Sequence, residues 1–186
     1  MSGAGAAKKE DEVKTVDILV FDMSKSPAVF LEWTEGTDVT QDLADNIATV
    51  DFSARLSPTT GSVCIVVVAN KKLSSIVPGF EKGTTTKAEA MEAMTHTLTG
   101  EWPADGSISG GYMPIPMYGE KEVAKLDPSM NPITGISMKR MLARIDIRNS
   151  ASNFTVEEVF LANYNTTGYV APVWDCLLYT SDAADD

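Results

Sequence analysis

His96 is the only histidine in the 186 residues, and Cys64 and Cys176 are the only cysteines. A histidine-based triad or a histidine metal cluster therefore lacks the side chains it needs. Met91, Met94 and His96 follow helical spacing and invite a soft-metal reading. A methionine stripe at that spacing is more commonly a packing face, and His96 has no second ligand near it in sequence. Cys64 lies inside S-V-C-I-V-V-V-A-N (62–70), where a thiol behaves as a small buried hydrophobe and nothing nearby would activate it. The carboxylate pairs Asp11-Glu12 and Glu157-Glu158 fall in a charged lead and in an expected strand, and neither defines a glycosidase pair. The chain has no glycine-rich phosphate loop, no G-x-S-x-G and no H-E-x-x-H. No catalytic, cofactor-binding or metal-ligating residue is expected, and no cofactor. Two binding patterns remain. Arg140, Arg144 and Arg148 share one strand face, as a ligand-facing strip or, more simply, as a solvated face paired with neighbouring carboxylates. Trp33, Trp102 and Tyr112 fall in expected loops or edges, where they could hold a sugar or merely pack.

The elements that would position these residues are mostly strands. Residues 63–68 are consecutive, apolar and mostly β-branched, which suits a pleated surface covered on both sides. This is the expected central strand. Residues 15–22 form a first strand, apolar on both faces near its middle, and 28–34 a short second one closed by a turn at 35–38. Residues 47–56 alternate polar and apolar, as a strand with one wet face does. The one helix is expected over 84–98, with Thr86 as N-cap, Glu89 completing a capping box and Gly100 as its stop. Pro114 and Pro116 remove ladder donors, so 112–120 should be an edge or an irregular crossing. A long strand over 136–148 and a final one over 154–162 complete the set. Strands separated by turn clusters, with a single helical segment, predict an all-β sandwich with one helical crossover.

A formal charge of −11 argues against a nucleic-acid partner, and no apolar run is long enough to span a membrane. Residues 1–14 lack the apolar core of a signal peptide and read as a disordered lead-in. At the other end, residues 176–186 resemble one translated frame of a sequencing-library adapter, which would make Cys64 the only native cysteine and a Cys64–Cys176 disulfide meaningless. The expected organisation is a lead-in over 1–14, a sandwich domain over 15–149, a last strand with the start of a truncated second domain over 150–175, and the non-native tail over 176–186.

Five blocks, in order, resemble the N-terminal domain of the fimbrillins, the subunits of Bacteroidia type V pili. They are V-D-I-L-V-F-D (16–22), G-S-V-C-I-V-V-V-A-N (61–70), M-P-I-P-M-Y-G-E (113–120), M-K-R-M-L-A-R-I-D-I (138–147) and F-T-V-E-E-V-F-L-A-N-Y (154–164), followed by G-Y-V-A-P (168–172). The resemblance covers residues 15–172 and implies a transthyretin-like Greek-key sandwich. It also implies export as a lipoprotein to the cell surface, with a fimbrium at the outer membrane. A trypsin-like protease would remove an N-terminal strand, and the groove left would receive a strand donated by the next subunit, so the expected partners are other fimbrial subunits. The lipobox cysteine of the family has no counterpart here. Lys8, Lys9 and Lys14 are the only basic residues before the first strand, and none can be assigned as the cleavage site. With no second domain to supply a donor strand, the chain is expected to accept a strand but not to polymerise alone. The reading that follows is a structural pilus subunit acting in adhesion. The alternative is a surface module binding a carbohydrate or a host protein through Trp33, Trp102 and Tyr112; an enzyme ranks last.

Overall fold

The computed structural model describes residues 12–42, 49–97, 113–142, 147–160, 162 and 165–172. The seven-residue apolar run is the middle of the molecule. Strand β5 (Val63–Ala69) is buried at every position and is flanked on one side by β1 (Val16–Asp22) and on the other by β7 (Met117–Val123). β2 (Val29–Glu35) adds to the outer side of β1, and β8 (Lys139–Arg140) adds to β7, giving a five-stranded sheet ordered β2-β1-β5-β7-β8. Each pairing is antiparallel, and β5 holds seven residues of β1 and seven of β7 in unbroken register. A bulge at Val20/Phe21 shifts the register of β1 against β2.

Because both sets of alternating side chains in β1 and β5 are apolar, the sheet needs a cover on each face. On one face Val16, Ile18, Val20, Val63, Ile65 and Val67 pack beneath the hairpin of β3 (Thr37–Asp42) and β4 (Thr49–Ser53), which contributes Val39 and Phe52. On the other face Leu19, Phe21, Cys64, Val66 and Val68 meet α1 (Lys87–Ala93) through Ala90 and Met91, and meet Leu73, Met94, Val170 and Ala171. Phe30 bridges Phe21 and Phe80 edge to face, at centroid distances of 6.0 and 5.6 Å. A small ladder of β6 (Thr95–Thr97) with β9 (Thr167–Tyr169) brings the 170–171 turn onto this face, and Val170 N–H donates to Met94 O at 2.9 Å. The architecture is an all-β sandwich with one helix, as the turn-punctuated strands predict.

Asn70 locks the end of β5. It sits at φ 60°, a left-handed conformation that asparagine tolerates better than most residues. From there its Nδ2 donates to Glu12 O and Ile115 O, and its Oδ1 accepts from Lys14 N–H, each at 2.8 Å. Residues 12–14, the end of the expected lead-in, are thereby tied to the sheet.

Several expected boundaries change. The turn at 35–38 is shorter than read, since β3 already begins at Thr37. The helix ends at Ala93, not 98: β-branched Thr95 and Thr97 extend instead as β6. The capping box is as expected, with Thr86 Oγ1 accepting from Glu89 N–H and Glu89 Oε2 accepting from Thr86 N–H. Leu98 and Gly100 lie outside the described residues. Residues 113–116, with both prolines, form the expected irregular crossing, and β7 starts only after them at Met117, where Pro116 O accepts from Met141 N–H. The strand expected over 136–148 shrinks to the two residues of β8, with 143–146 outside the described residues. The strand expected over 154–162 is not one among its described residues, and Phe154, Val159 and Phe160 are exposed. Its period-two pattern breaks at Glu157-Glu158, which puts Val156 and Val159 out of phase.

Candidate functional site

Among the described residues the sheet is unfinished beside β7. Backbone parity says which groups are affected. Pro116 O accepts from Met141 N–H, and Tyr118 pairs with Lys139, so the N–H and C=O of Tyr118, Glu120 and Glu122 point away from β5. Those of Met117, Gly119, Lys121 and Val123 point toward β5, opposite Ala69, Val67, Ile65 and Val63. β8 begins only at Lys139, opposite Tyr118, so it satisfies only the first of the outward residues; the 135–137 stretch that would continue it along Glu120 and Glu122 makes no ladder pair. Among the described residues no strand pairs with the outer side of 119–123. The opposite rim is partly closed: Phe30 N–H donates to Thr85 O and Lys87 N–H donates to Ala28 O, so the 83–87 segment caps the first residues of β2.

A methyl group at Gly119 would come within 2.6 Å of Met138 Sδ and 2.8 Å of Ser137 O, so the 136–138 segment packs directly on the glycine. Lys121 Nζ donates to Thr134 O. Ile136 and Met138 pack with one face of the sheet while Gly135, Ser137 and Lys139 border the groove on the other, so the segment runs along the outer side of β7 without entering its ladder beyond Lys139.

Over the other face of β7 runs a groove of about 670 Å³, in the size range of ligand and side-chain pockets. Ala28, Ala88, Met91 and Pro172 make its apolar wall, and Tyr118 and Glu120 its floor. Glu120 Oε2 accepts from Lys87 Nζ at 2.6 Å and from Tyr118 OH, and Cys64 Sγ lies 3.9 Å away. Partial burial pushes the Glu120 carboxyl up, but the hydrogen bonds from Lys87 and Tyr118 and the lysine's charge outweigh it, and the carboxyl sits below its ordinary value. For Lys87 burial pulls down, but the bond to Glu120 prevails and the ammonium is held above its ordinary value. Burial and the adjacent carboxylate both raise the Tyr118 phenol. The Cys64 thiol is pushed up to about 11 by burial, which makes it a poor nucleophile. The groove therefore offers apolar contact and a hydrogen-bond acceptor, with no activated group in it.

The residues singled out from sequence are dispersed. Trp33, on β2, packs against the core and donates from Nε1 to Asp17 Oδ1 at 2.7 Å, so its indole serves a buried carboxylate. Trp102 and Tyr112 lie outside the described residues. Met91 and Met94 are buried in the core, and His96 sits on β6; burial and the nearby Lys71 charge hold its imidazole below the ordinary value. Arg140 and Arg148 are exposed, and Arg144 lies outside the described residues. Glu157 and Glu158 are exposed in irregular chain. Among the described residues no three of His, Cys, Asp or Glu gather to hold a metal, and no helix is long and apolar enough to cross a membrane. Sequence reasoning missed the Lys87–Glu120–Tyr118 group. The alternation of Tyr118 and Glu120 in M-Y-G-E was a signal for two of the three; Lys87 arrives from 31 positions upstream of Tyr118 and carried none.

The profile of the family described as major fimbrial subunit protein (FimA) matches residues 1–109, more than half of the chain. No curated protein and no solved structure matches it.

Proposed function

This chain belongs to the family of the major fimbrial subunit protein FimA, and we propose on that footing that it is a structural subunit that joins its neighbours by accepting a strand along the outer edge of β7. The observation that supports this reading is the row of outward backbone groups at Glu120 and Glu122, which β8 stops short of pairing. An extended segment laid there gains main-chain hydrogen bonds, and its alternate side chains rest on the groove floor or against the 134–138 segment. An open edge of this kind is a hazard for a lone protein and an asset for one that assembles. The chemistry around it is that of a seat rather than a catalyst: a raised thiol, a raised phenol and a carboxylate held ionised by its ion pair with Lys87. The place of work is a fimbrium on the cell surface, and adhesion is the activity it serves.

A photo-crosslinking amino acid at position 122 tests the reading in cells that make the fimbria. A subunit–subunit adduct in sheared fimbriae is expected at 122 and not at exposed position 51 on β4. Incorporation into fimbriae with no adduct at 122 would place the joint elsewhere. Residues 150–175 as the start of a second domain are part of the same proposal, although Val170 and Ala171 belong to the core of the first.

A further inference from the structure

A strand arriving on the outer side of β7 meets the 134–138 segment there. Carried past Lys139, the register of β7 with β8 sets Met138 opposite Gly119, Ser137 opposite Glu120, Ile136 opposite Lys121 and Gly135 opposite Glu122. The side chains keep that alternation: Ile136 and Met138 pack with the face of Ile65 and Val67, while Gly135 and Ser137 border the groove. The backbone does not follow, for none of these four residues makes a ladder pair. Gly135 supplies a reason. Its φ of 72° lies outside the extended region, so the chain bends where it would have to run straight along Glu122. What holds the segment is weaker than a ladder: the half-buried Ile133, Ile136 and Met138 on the sheet face, and the hydrogen bond from Lys121 Nζ to Thr134 O.

We propose that the 134–138 segment is a strap over the strand-accepting edge, and that the incoming strand displaces it. This rests on the edge assigned above and adds a regulation of it. The strap withholds main-chain hydrogen bonds from Glu120 and Glu122, and a strand supplies them. The strand must also bring apolar side chains opposite Gly119 and Lys121, to replace Met138 and Ile136. A segment that offers apolar surface alone gains nothing over the strap, so the lone subunit keeps its edge covered. Gly119 is what lets the strap lie so close, since a methyl group there would meet Met138 Sδ and Ser137 O. Once displaced, the strap stays on the sheet face through Ile133 and backs the new strand.

Two variants move the strap in opposite directions, and the subunit–subunit adduct at position 122 reads both. Gly119→Ala keeps the pairing with Val67 and pushes the strap away. The fraction of subunits with an open edge rises, and the adduct is expected to increase about threefold. Lys121→Cys with Ile136→Cys, in a Cys176→Ser background, sets two thiols at facing positions of a non-hydrogen-bonded pair, where a disulfide fits. Oxidised, this chain should give no adduct; reduced, it should give the parental amount. An oxidised chain that crosslinks as well as the reduced one, or a Gly119→Ala adduct no greater than the parental one, overturns the strap and leaves the edge at β7 standing. If the cysteine pair enters fimbriae in neither form, Gly119→Ala alone decides. No adduct in the parent chain removes the edge itself, and the strap with it.

Discussion

A proline can separate the edge of β7 from its ladder. At Glu122 the N–H faces away from β5, so Glu122→Pro deletes a donor that no described residue accepts from. Its cost to folding is then about 1 kcal/mol or less, the span of strand propensity. At Lys121 the N–H faces Ile65 on the buried central strand. Lys121→Pro leaves a buried carbonyl unpaired, which costs ~1–3 kcal/mol before the ring's own clash is counted. Urea denaturation followed by circular dichroism should rank the two accordingly. Assembly should rank them in reverse: Glu122→Pro folds but is depleted from fimbriae by about tenfold, the equivalent of 1.4 kcal/mol lost at the joint. The assay is immunodetection of the tagged chain in sheared fimbriae against the cell-bound pool. Glu35→Pro is the control for the opposite rim, because the Glu35 N–H faces outward from β2. If Glu35→Pro is depleted and Glu122→Pro is not, the strand-accepting edge is β2 and the argument from β7 fails.

Three further outcomes follow from single contacts. Trp33→Phe removes the indole donor from Asp17, which is 2% exposed. Burial already raises that carboxyl, so the loss should cost ~1–3 kcal/mol in urea denaturation, and a change under about 0.5 kcal/mol would contradict it. Asn70→Ala breaks three side-chain hydrogen bonds and places alanine at φ 60°; about 2–4 kcal/mol is expected, with faster amide exchange at Lys14. The Lys87–Glu120 pair sets a pH window. Glu120 lies below its ordinary 4.5 in the fold, so its contribution is present above that value and fades as pH falls through the folded one. Lys87 lies above its ordinary 10.5, so its contribution is present below that value and fades as pH climbs through the folded one. Both side chains are partly exposed, so Glu120→Gln should cost only ~0.5–1 kcal/mol at pH 7, a deficit that shrinks as pH falls through the folded carboxyl's value, and a deficit independent of pH would assign the loss to packing instead.

Local signals carried far in this chain where burial and backbone chemistry agree. The run at 63–69 placed the central strand because β-branched residues without a polar member leave no wet face. Thr86 and Glu89 placed the helix start because a capping box is a contact between residues three apart. The failures share a cause. Residues 136–148 and 154–162 have strand-like composition, but a strand exists only where a neighbour takes its hydrogen bonds, and that neighbour is remote in sequence. β8 obtains two residues of partnership from β7, and the described part of 154–160 obtains none. Conversely, Thr167–Tyr169, for which no strand is expected from the sequence, becomes β9 because Thr95–Thr97 lies beside it. The groove was illegible for the same reason: its floor comes from β7, its wall from α1, and its rim from Pro172.

The edge and the groove also explain why the strongest sequence feature and the functional one are different strands. β5 is buried at all seven positions, so every backbone group on it is spoken for and nothing can be added to it. A strand can accept a partner only if one of its sides is left open, which requires polar, solvent-tolerant residues along it. β7 meets that condition by changing character midway. Its first three residues, Met117 to Gly119, are buried and anchor it to β5, while Glu120 turns its charge to Lys87, Lys121 turns its ammonium to Thr134 O, and Glu122 is exposed. Charge on an edge strand suppresses indiscriminate pairing. A partner that supplies its own hydrogen bonds and tolerates two carboxylates is selected over one that merely offers apolar surface. On that reasoning Glu122→Val should not strengthen the joint but loosen its selectivity, with the lone chain aggregating by light scattering while its incorporation into fimbriae stays unchanged or falls. If the valine variant stays monomeric and enters fimbriae more readily, the carboxylates guard nothing and the edge is selected by shape alone.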